Sequence, residues 1–471
     1  MTSYKGVCNK VPLLEKVYGI DTYYTVDVRG IGGRIRSLYG DFIVEEISLD
    51  GFIAKVKFNE KGDEASCKTE ECHDIRGSGA YVWFVLEKKG LDTVKAVRRL
   101  ARLLKVDERR FSFAGLKDSK AITAQFVSCL NVSEDELRKI HTEQLKVHTI
   151  FRRPFPLKPG LLSGNRFTIK IRNIDLPKDD LAHTLSRFIE SVRTKGGIPA
   201  YYGHQRFGTI RPNTHLIGLY ILKGDFEEAF HELVCKYYPL EPEHIKEAKE
   251  LVAKGDLKRA LTLFPKAYTY ERSMIQHLLN HRKDYIGAFR RLPLEVRRLF
   301  IQALQAYLFN RVLSRRIIEG LPLNTPIEGD YVAFIDKLGR VASTIKVTSY
   351  NKKDIEKMVK KGRLRLVLNV IGYNTILAGG LPGEIEREVL ESEGIKPEEF
   401  KVKHFPEASA KGYLREGLME VKSFKVLSIA EDPLNKGKNM LAITFTLGKG
   451  FYATVLLREL MKPTDIVSAG F

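Results

Sequence analysis

The chain has 471 residues, and its 78 Lys and Arg residues exceed its 58 Asp and Glu residues, which gives a formal net charge of +20. A hydrophobic fraction of 44% is ordinary for a chain that buries a core, so the composition excludes wholesale disorder. The uncharged apolar runs are far shorter than the roughly 20 residues of a membrane span, so no membrane association is expected. Five cysteines and the absence of a secretory signal favour a cytoplasmic protein with reduced thiols.

The first third of the chain is predicted to be rich in strands. Apolar runs at Phe42–Ile47 and Ala80–Glu87 indicate two strands, and alternation from Phe52 to Phe58 indicates another. Helical spacing covers residues 94–104. Residues 166–172 alternate between apolar and polar side chains, which predicts a strand with one buried face.

The later part of the chain changes character twice. A turn-rich break at residues 196–199 precedes a mostly helical region at 214–320. Strands are predicted again at Phe424–Ala430, Met440–Leu447 and Phe451–Leu457. A terminal return to strands predicts an α+β chain in which one domain is inserted into another.

Three basic segments contain or adjoin aromatic residues, at 95–120, 146–172 and 282–316. Cationic segments with aromatic side chains favour RNA, because phosphates release counterions on binding and unstacked bases can stack on rings. Binding to RNA is then expected to weaken steeply with salt. The alternative is that each segment is only a solvated face.

Cofactor motifs are incomplete in this chain. The glycines of residues 30–33 lack the Gly-Lys-Ser/Thr ending of a phosphate-binding loop. Cys67, Cys72 and His73 are not followed by a second Cys/His pair at metal-binding spacing. Neither a nucleotide cofactor nor a metal is therefore expected.

One segment combines a carboxylate with two lysines. In Phe113–Thr123, Asp118 lies between Lys117 and Lys120 and follows a glycine. It could be an ordinary turn in which Asp118 accepts a backbone hydrogen bond. It could also be a carboxylate that nearby cations keep ionised, which can act as a nucleophile but not as a good general acid. The residue types alone leave both readings open.

This segment closely resembles the signature of the TruD family of tRNA pseudouridine synthases, which also has a eukaryotic branch. Five more segments resemble family motifs in family order: Asp41–Glu46, Gly164–Thr168, Gly197–Gly208, Ala303–Asn310 and Phe451–Leu460. Together they span nearly the whole chain, which makes chance similarity a poor explanation.

The resemblance implies a fold and an activity. The fold is a pseudouridine synthase catalytic domain with a mixed, mainly antiparallel sheet, at residues 1–199 and 424–471, interrupted by a large inserted α+β (TRUD) domain at 200–423. The activity is isomerisation of uridine to pseudouridine in tRNA, typically at position 13, without a cofactor. A non-catalytic RNA-binding protein or RNA chaperone that kept the fold is the alternative. The sequence leaves the oligomeric state open, and a monomer is one option.

The resemblance also suggests the residues of the site. Asp118 falls on the catalytic aspartate, and Arg36 falls where relatives carry a basic residue, often Lys, beside it. Tyr452 falls where bacterial relatives have a Phe that stacks on the target base, and its hydroxyl could donate a hydrogen bond or accept a proton. The candidates for substrate binding are Asn165, Phe167, Phe42, Lys117 and Arg206.

Overall fold

The computed structural model describes residues 10–57, 78–336 and 338–471. The strands in this part of the chain are β1 (Phe42–Ile47), β2 (Tyr81–Lys89), β3 (Phe111–Phe113), β4 (Ile122–Leu130), β5 (Leu145–Arg153), β6 (Gly164–Ile174), β7 (Ile198–Pro199), β8 (Tyr331–Ile335), β9 (Val341–Lys346), β10 (Arg365–Val370), β11 (Tyr413–Glu416), β12 (Leu418–Met419), β13 (Lys422–Glu431) and β14 (Asn439–Gly448).

The α-helices of the same residues are α1 (Leu13–Val17), α2 (Thr93–Leu103), α3 (Glu134–Arg138), α4 (Lys178–Thr194), α5 (Thr214–Lys223), α6 (Phe226–Phe230), α7 (Lys246–Ala253), α8 (Leu257–Leu263), α9 (Thr269–Asn280), α10 (Tyr285–Arg290), α11 (Leu294–Ile318), α12 (Lys352–Lys360), α13 (Gly380–Ser392) and α14 (Ala453–Met461). No helix in the described part of the chain is long and apolar enough to cross a membrane.

Strands from both ends of the chain share one sheet. Its order is β13-β14-β6-β1-β4-β2-β5, with β3 paired to β4. β1 and β4 are parallel, and the other pairs of this sheet are antiparallel. This arrangement confirms the predicted mixed, mainly antiparallel sheet. One face packs against α4 and α14 in a core that includes Phe42, Phe167, Phe188, Phe445 and Leu456.

The middle of the chain builds a second core. Helices α5 to α11 and α13 enclose it, and α11 is the longest element at 25 residues. An antiparallel sheet of order β11-β10-β8-β9 flanks these helices. The chain rejoins the large sheet at Lys422. The domain boundaries at 199/200 and 423/424 stay a prediction, which this return supports.

The predicted strand at Phe451–Leu457 is wrong, because α14 begins at Ala453. All nine residues of α14 are buried, including Arg458 and Glu459. A helix without a polar face shows no 3.6-residue period, so a short apolar run there cannot be distinguished from a buried strand.

The predicted strand from Phe52 to Phe58 is also wrong over residues 52–57, and residue 58 lies outside the described residues. Ile53 forms only an isolated bridge with Ile47. Ala54 N still donates to the Glu46 carbonyl of β1 at 2.9 Å. Beyond it, Val56 N donates to the Glu45 carboxylate at 3.0 Å, and Lys57 N donates to the Glu87 carboxylate at 2.8 Å. Side-chain acceptors therefore replace the ladder that the alternation predicted.

Candidate active site

The loop that carries Asp118 joins β3 to β4 and is anchored through its backbone. The buried Lys88 ammonium donates to the carbonyl oxygens of Lys117 and Asp118, at 3.3 and 3.0 Å. Thr93 Oγ1 accepts from Lys117 N at 2.9 Å and donates to Gln125 Oε1 at 2.8 Å. These contacts fix the loop backbone independently of its side chains.

The carboxylate of Asp118 is partly exposed and has a buried cation beside it. Arg36 Nη2 lies 3.1 Å from Asp118 Oδ2, with 8% of the Arg36 side chain exposed against 44% of the Asp118 side chain. Arg36 also donates to the Gly470 carbonyl at 3.1 Å, and its guanidinium lies 4.3 Å from the Phe42 ring centroid. Burial lowers the pKa of Arg36, and Asp118 raises it in part. The geometry is that of a partly exposed carboxylate paired with a buried cation, and not that of a helix cap.

Lys117 is turned away from Asp118. Its ammonium lies 2.7 Å from Glu46 Oε2 and donates to Asn165 Oδ1 at 2.8 Å, and only 6% of its side chain is exposed. Lys117 therefore pairs with Glu46, and the cation that contacts the Asp118 carboxylate is Arg36. Because Oδ1 of Asn165 accepts from Lys117, the amide nitrogen of Asn165 is the end that can donate to a ligand.

The two phenylalanines of the predicted site lie in the core beneath it. Phe42 is 2% exposed and Phe167 is 6% exposed. Their rings are 6.3 Å apart edge to face, and Phe167 stacks on Phe445 at 5.4 Å. In this structure they form a rigid wall, and Phe42 supports Arg36.

Tyr452 immediately precedes α14. Gly448 and Leu447 of β14 pair with Gly164 and Asn165 of β6, so the four residues that follow bring Tyr452 to the same end of the sheet as Asn165. The Tyr452 ring lies 6.4 Å from the Tyr202 ring.

A buried ion pair fixes the orientation of α14. Arg458 donates to Glu15 at 2.8 Å, and both side chains are fully buried. Burial would raise the pKa of Glu15, but Arg458 outweighs it and holds the pKa at about 2. The helix that follows Tyr452 is thereby tied to α1.

A family model for tRNA pseudouridine synthase D (TruD) matches residues 19–460. The chain belongs to the TruD family. A protein from Methanosarcina mazei named Probable tRNA pseudouridine synthase D is 38% identical over 456 residues, covering 96% of this chain and 98% of that protein. One of the same name from Methanopyrus kandleri is 39% identical over 387 residues, covering 82% of this chain and 86% of that protein.

This chain also has the same fold as a solved structure of the family. The crystal structure of the TruD protein from Methanosarcina mazei matches with a TM-score of 0.80 and 37% sequence identity, covering 96% of this chain and 98% of that one. The catalytic domain with a large insertion, as the TruD resemblance implied, is thus the fold of this chain.

Arg206 is linked to Tyr452 through Tyr202, because the Tyr202 ring centroid lies 6.0 Å from the Arg206 guanidinium carbon and 6.4 Å from the Tyr452 ring centroid. It donates to Gln302 Oε1 at 3.2 Å, and with Arg298 and Lys411 it lines a cleft of about 370 Å³. The structure therefore places Arg206 in the middle part of the chain, at a basic cleft rather than beside Asp118.

Sequence reasoning missed the groups that position the TruD signature loop. Lys88, Thr93 and Gln125 are each fully buried, and Glu46 is 1% exposed. A signal was present for one of them: a lysine at the end of the apolar run of β2 needs a partner once it is buried. The partners themselves are carbonyl groups and distant side chains, which no local pattern reveals.

The residues described contain no group of three or more His, Cys, Asp or Glu that could hold a metal ion. The sequence argues against a zinc site at Cys67, Cys72 and His73. These three residues lie outside the described residues.

Proposed function

We propose that this protein converts uridine to pseudouridine at position 13 of tRNA, with Asp118 as the nucleophile toward a flipped-out base. The observation that carries the proposal is the Asp118–Arg36 pair, a partly exposed carboxylate held at 3.1 Å by a buried guanidinium. The names of the family relatives, all probable tRNA pseudouridine synthases, support the substrate class.

The reaction is a rearrangement within one nucleoside. The bond between N1 of uracil and C1′ of ribose breaks, and a bond between C5 and C1′ forms. A proton leaves C5, and N1 gains one, so nothing is oxidised and no water is consumed. Such a reaction needs a nucleophile, a closed site that keeps the detached uracil, and an acceptor for the C5 proton.

The residues of the site match these needs. Asp118 supplies the nucleophile, and Arg36 fixes its Oδ2 so that Oδ1 can attack, at either the ring or the sugar. The Asn165 amide reads a uracil carbonyl, since Lys117 orients it. Tyr452 stacks on the base or accepts the C5 proton, and Phe167 stacks on Phe445 in the core beneath the site.

The electrostatics favour an enzyme over a non-catalytic RNA-binding protein. A partly exposed carboxylate repels phosphate groups, so a protein that only binds RNA gains nothing from Asp118. Loop anchors that are themselves buried, such as Lys88, fit a carboxylate that must be held in one place.

The experiment is position-resolved pseudouridine mapping on an unmodified tRNA transcript that has uridine at position 13, with less protein than RNA. We expect more than one pseudouridine per protein molecule, at position 13, and none in a matched transcript with cytidine there. Binding without any pseudouridine would support the RNA-binding alternative. Modification at another position would contradict the site assignment.

A further inference from the structure

A second cleft, larger than the one at Arg206, lies next to the candidate active site. Its volume is about 750 Å³, within the range of about 300–1,000 Å³ typical of ligand sites. One wall is the small sheet, with Tyr331 and Tyr413, and the opposite wall is the segment 449–451 that leads into α14. The β8–β9 turn approaches Lys449, since a Cβ at Gly339 would lie 3.8 Å from Lys449 Cε. We call this space the 413 cleft.

The lining of the 413 cleft suits an unpaired nucleotide. Tyr413 is half exposed and supplies a ring on which a base can stack, and Phe451 is a second aromatic residue of the lining. Arg340 and Lys449 supply positive charge for a phosphate. Asn374 Oδ1 accepts from Gly412 N at 2.8 Å, which leaves its amide nitrogen for a base edge.

One acidic side chain also lines the cleft. Burial raises the pKa of Glu416, and Arg365 and Arg415 oppose that shift. Asp336, at the β8–β9 turn, pairs with Arg340 at 2.8 Å. The lining residues Arg340, Arg415 and Lys449 outnumber these two acids, so positive charge remains for a phosphate, and the aromatic rings supply the stacking surface.

The 413 cleft is connected to the active site by direct contacts. The hydroxyl groups of Tyr413 and Tyr202 are 2.7 Å apart, and the Tyr202 ring packs against Tyr452. Arg415 bridges the two walls, because it donates to the carbonyls of Ala200 and Gly450. Tyr202 would therefore lie between a base in this cleft and the base that Tyr452 contacts.

We propose that the 413 cleft binds the base of a second unpaired nucleotide, a near neighbour of the target uridine in the same RNA, stacked on the Tyr413 ring. The inference rests on the proposed function, because it needs an RNA whose target base is flipped out. Flipping one base unstacks its neighbours, and a pocket that captures a neighbour stabilises the opened strand. The cleft thereby contributes to the choice of substrate.

The test separates the ring of Tyr413 from its hydroxyl. Binding of an unmodified tRNA transcript is measured in an Asp118→Asn background, which prevents turnover. Tyr413→Ala should weaken binding by about 5- to 150-fold, the usual loss for one stacked base. Tyr413→Phe keeps the ring and should bind like the parent. Tyr350→Ala removes a tyrosine that is 97% exposed and outside the cleft, and should change nothing.

Transcripts with a single abasic position beside the target locate the captured base. The loss of affinity caused by one such abasic position should vanish in the Tyr413→Ala protein. The effects of the abasic position and of the substitution are then not additive. Equal losses in Tyr413→Ala and Tyr413→Phe, unchanged binding in both, or additivity at every abasic position would each overturn the proposal. Pseudouridine formation by the otherwise unchanged protein on the same transcript tests the proposed function separately.

Discussion

Lys88 is the residue on which the position of Asp118 depends most. Its ammonium donates to three carbonyl oxygens, including Leu91 O at 2.6 Å. Burial lowers the pKa of Lys88 to about 8, while the nearby Asp118 carboxylate opposes that shift. The carbonyl dipoles take the place of water around the ammonium, so the side chain and the loop fix each other.

Lys88→Met should lower kcat by about 100-fold, because displacing a reacting group by about an ångström has effects of that size. The affinity for tRNA should be unchanged, since Lys88 is fully buried. Lys89→Met is the control, because Lys89 is half-buried at the end of the same strand. Multiple-turnover kinetics at saturating tRNA together with tRNA binding measure both quantities. An unchanged kcat in a folded Lys88→Met protein would contradict the role of Lys88 in positioning Asp118.

At the scale of elements, the local sequence pattern predicted several strands and helices correctly. β1, β2, β6 and α2 were predicted because their apolar spacing is unmistakable and both flanks carry turn residues. The error at α14 has a different cause. Its apolar and charged residues are all buried, and Arg458 pairs both with the adjacent Glu459 and with Glu15, at the far end of the chain.

The same limit applied to the site. The signature segment was found because Asp118 and its flanking lysines are adjacent in sequence. The cation beside Asp118 was available only through the resemblance, since Arg36 is 82 residues away. The inward turn of Lys117 toward Glu46 and Asn165 depends on the pairing of β1 with β6. A sequence carries no direct record of such long-range contacts.

Helix α13 contains a carboxyl group that makes the stability depend on pH. Glu386 is 2% exposed, accepts from Ala378 N at 2.8 Å and contacts the Asn369 amide. Burial raises its pKa from 4.5 to about 7, with the hydrogen bonds opposing the shift. Between these pH values the folded protein holds a proton that the unfolded chain has released. The stability linked to that proton is complete below about pH 4.5 and is lost as the pH rises through 7.

Glu386→Gln should therefore flatten the pH dependence of unfolding. The unmodified chain should lose stability between about pH 5 and pH 8 at this site, whereas the amide cannot titrate. Thermal unfolding of both proteins across that range measures the difference. Identical pH profiles for the two proteins would show that this carboxyl does not titrate in the interval.

At the scale of the whole molecule, many of the clustered cations pair with acids outside the basic segments. Arg316 is 1% exposed and pairs with Asp330 at 2.6 Å, so it cannot contact RNA. In the same segment, Arg297 pairs with Glu407 at 2.7 Å. From the sequence, RNA contact and solvation were the two environments predicted for these side chains. Because these acids lie outside the basic segments, the exposed positive charge is smaller than the segments alone suggest. The net charge of +20 still attracts a polyanion.

The whole account depends on Asp118 acting as a nucleophile, and Asp118→Asn tests that most directly. The amide keeps the size of the side chain and an oxygen for Arg36 but cannot attack, so pseudouridine formation in a single turnover should fall by about 10⁴-fold or more. tRNA binding should persist, and Asp135→Asn, at an exposed aspartate in α3, should leave activity unchanged. A fully bound Asp118→Asn protein that still forms pseudouridine at a rate near that of the unmodified chain would contradict the account.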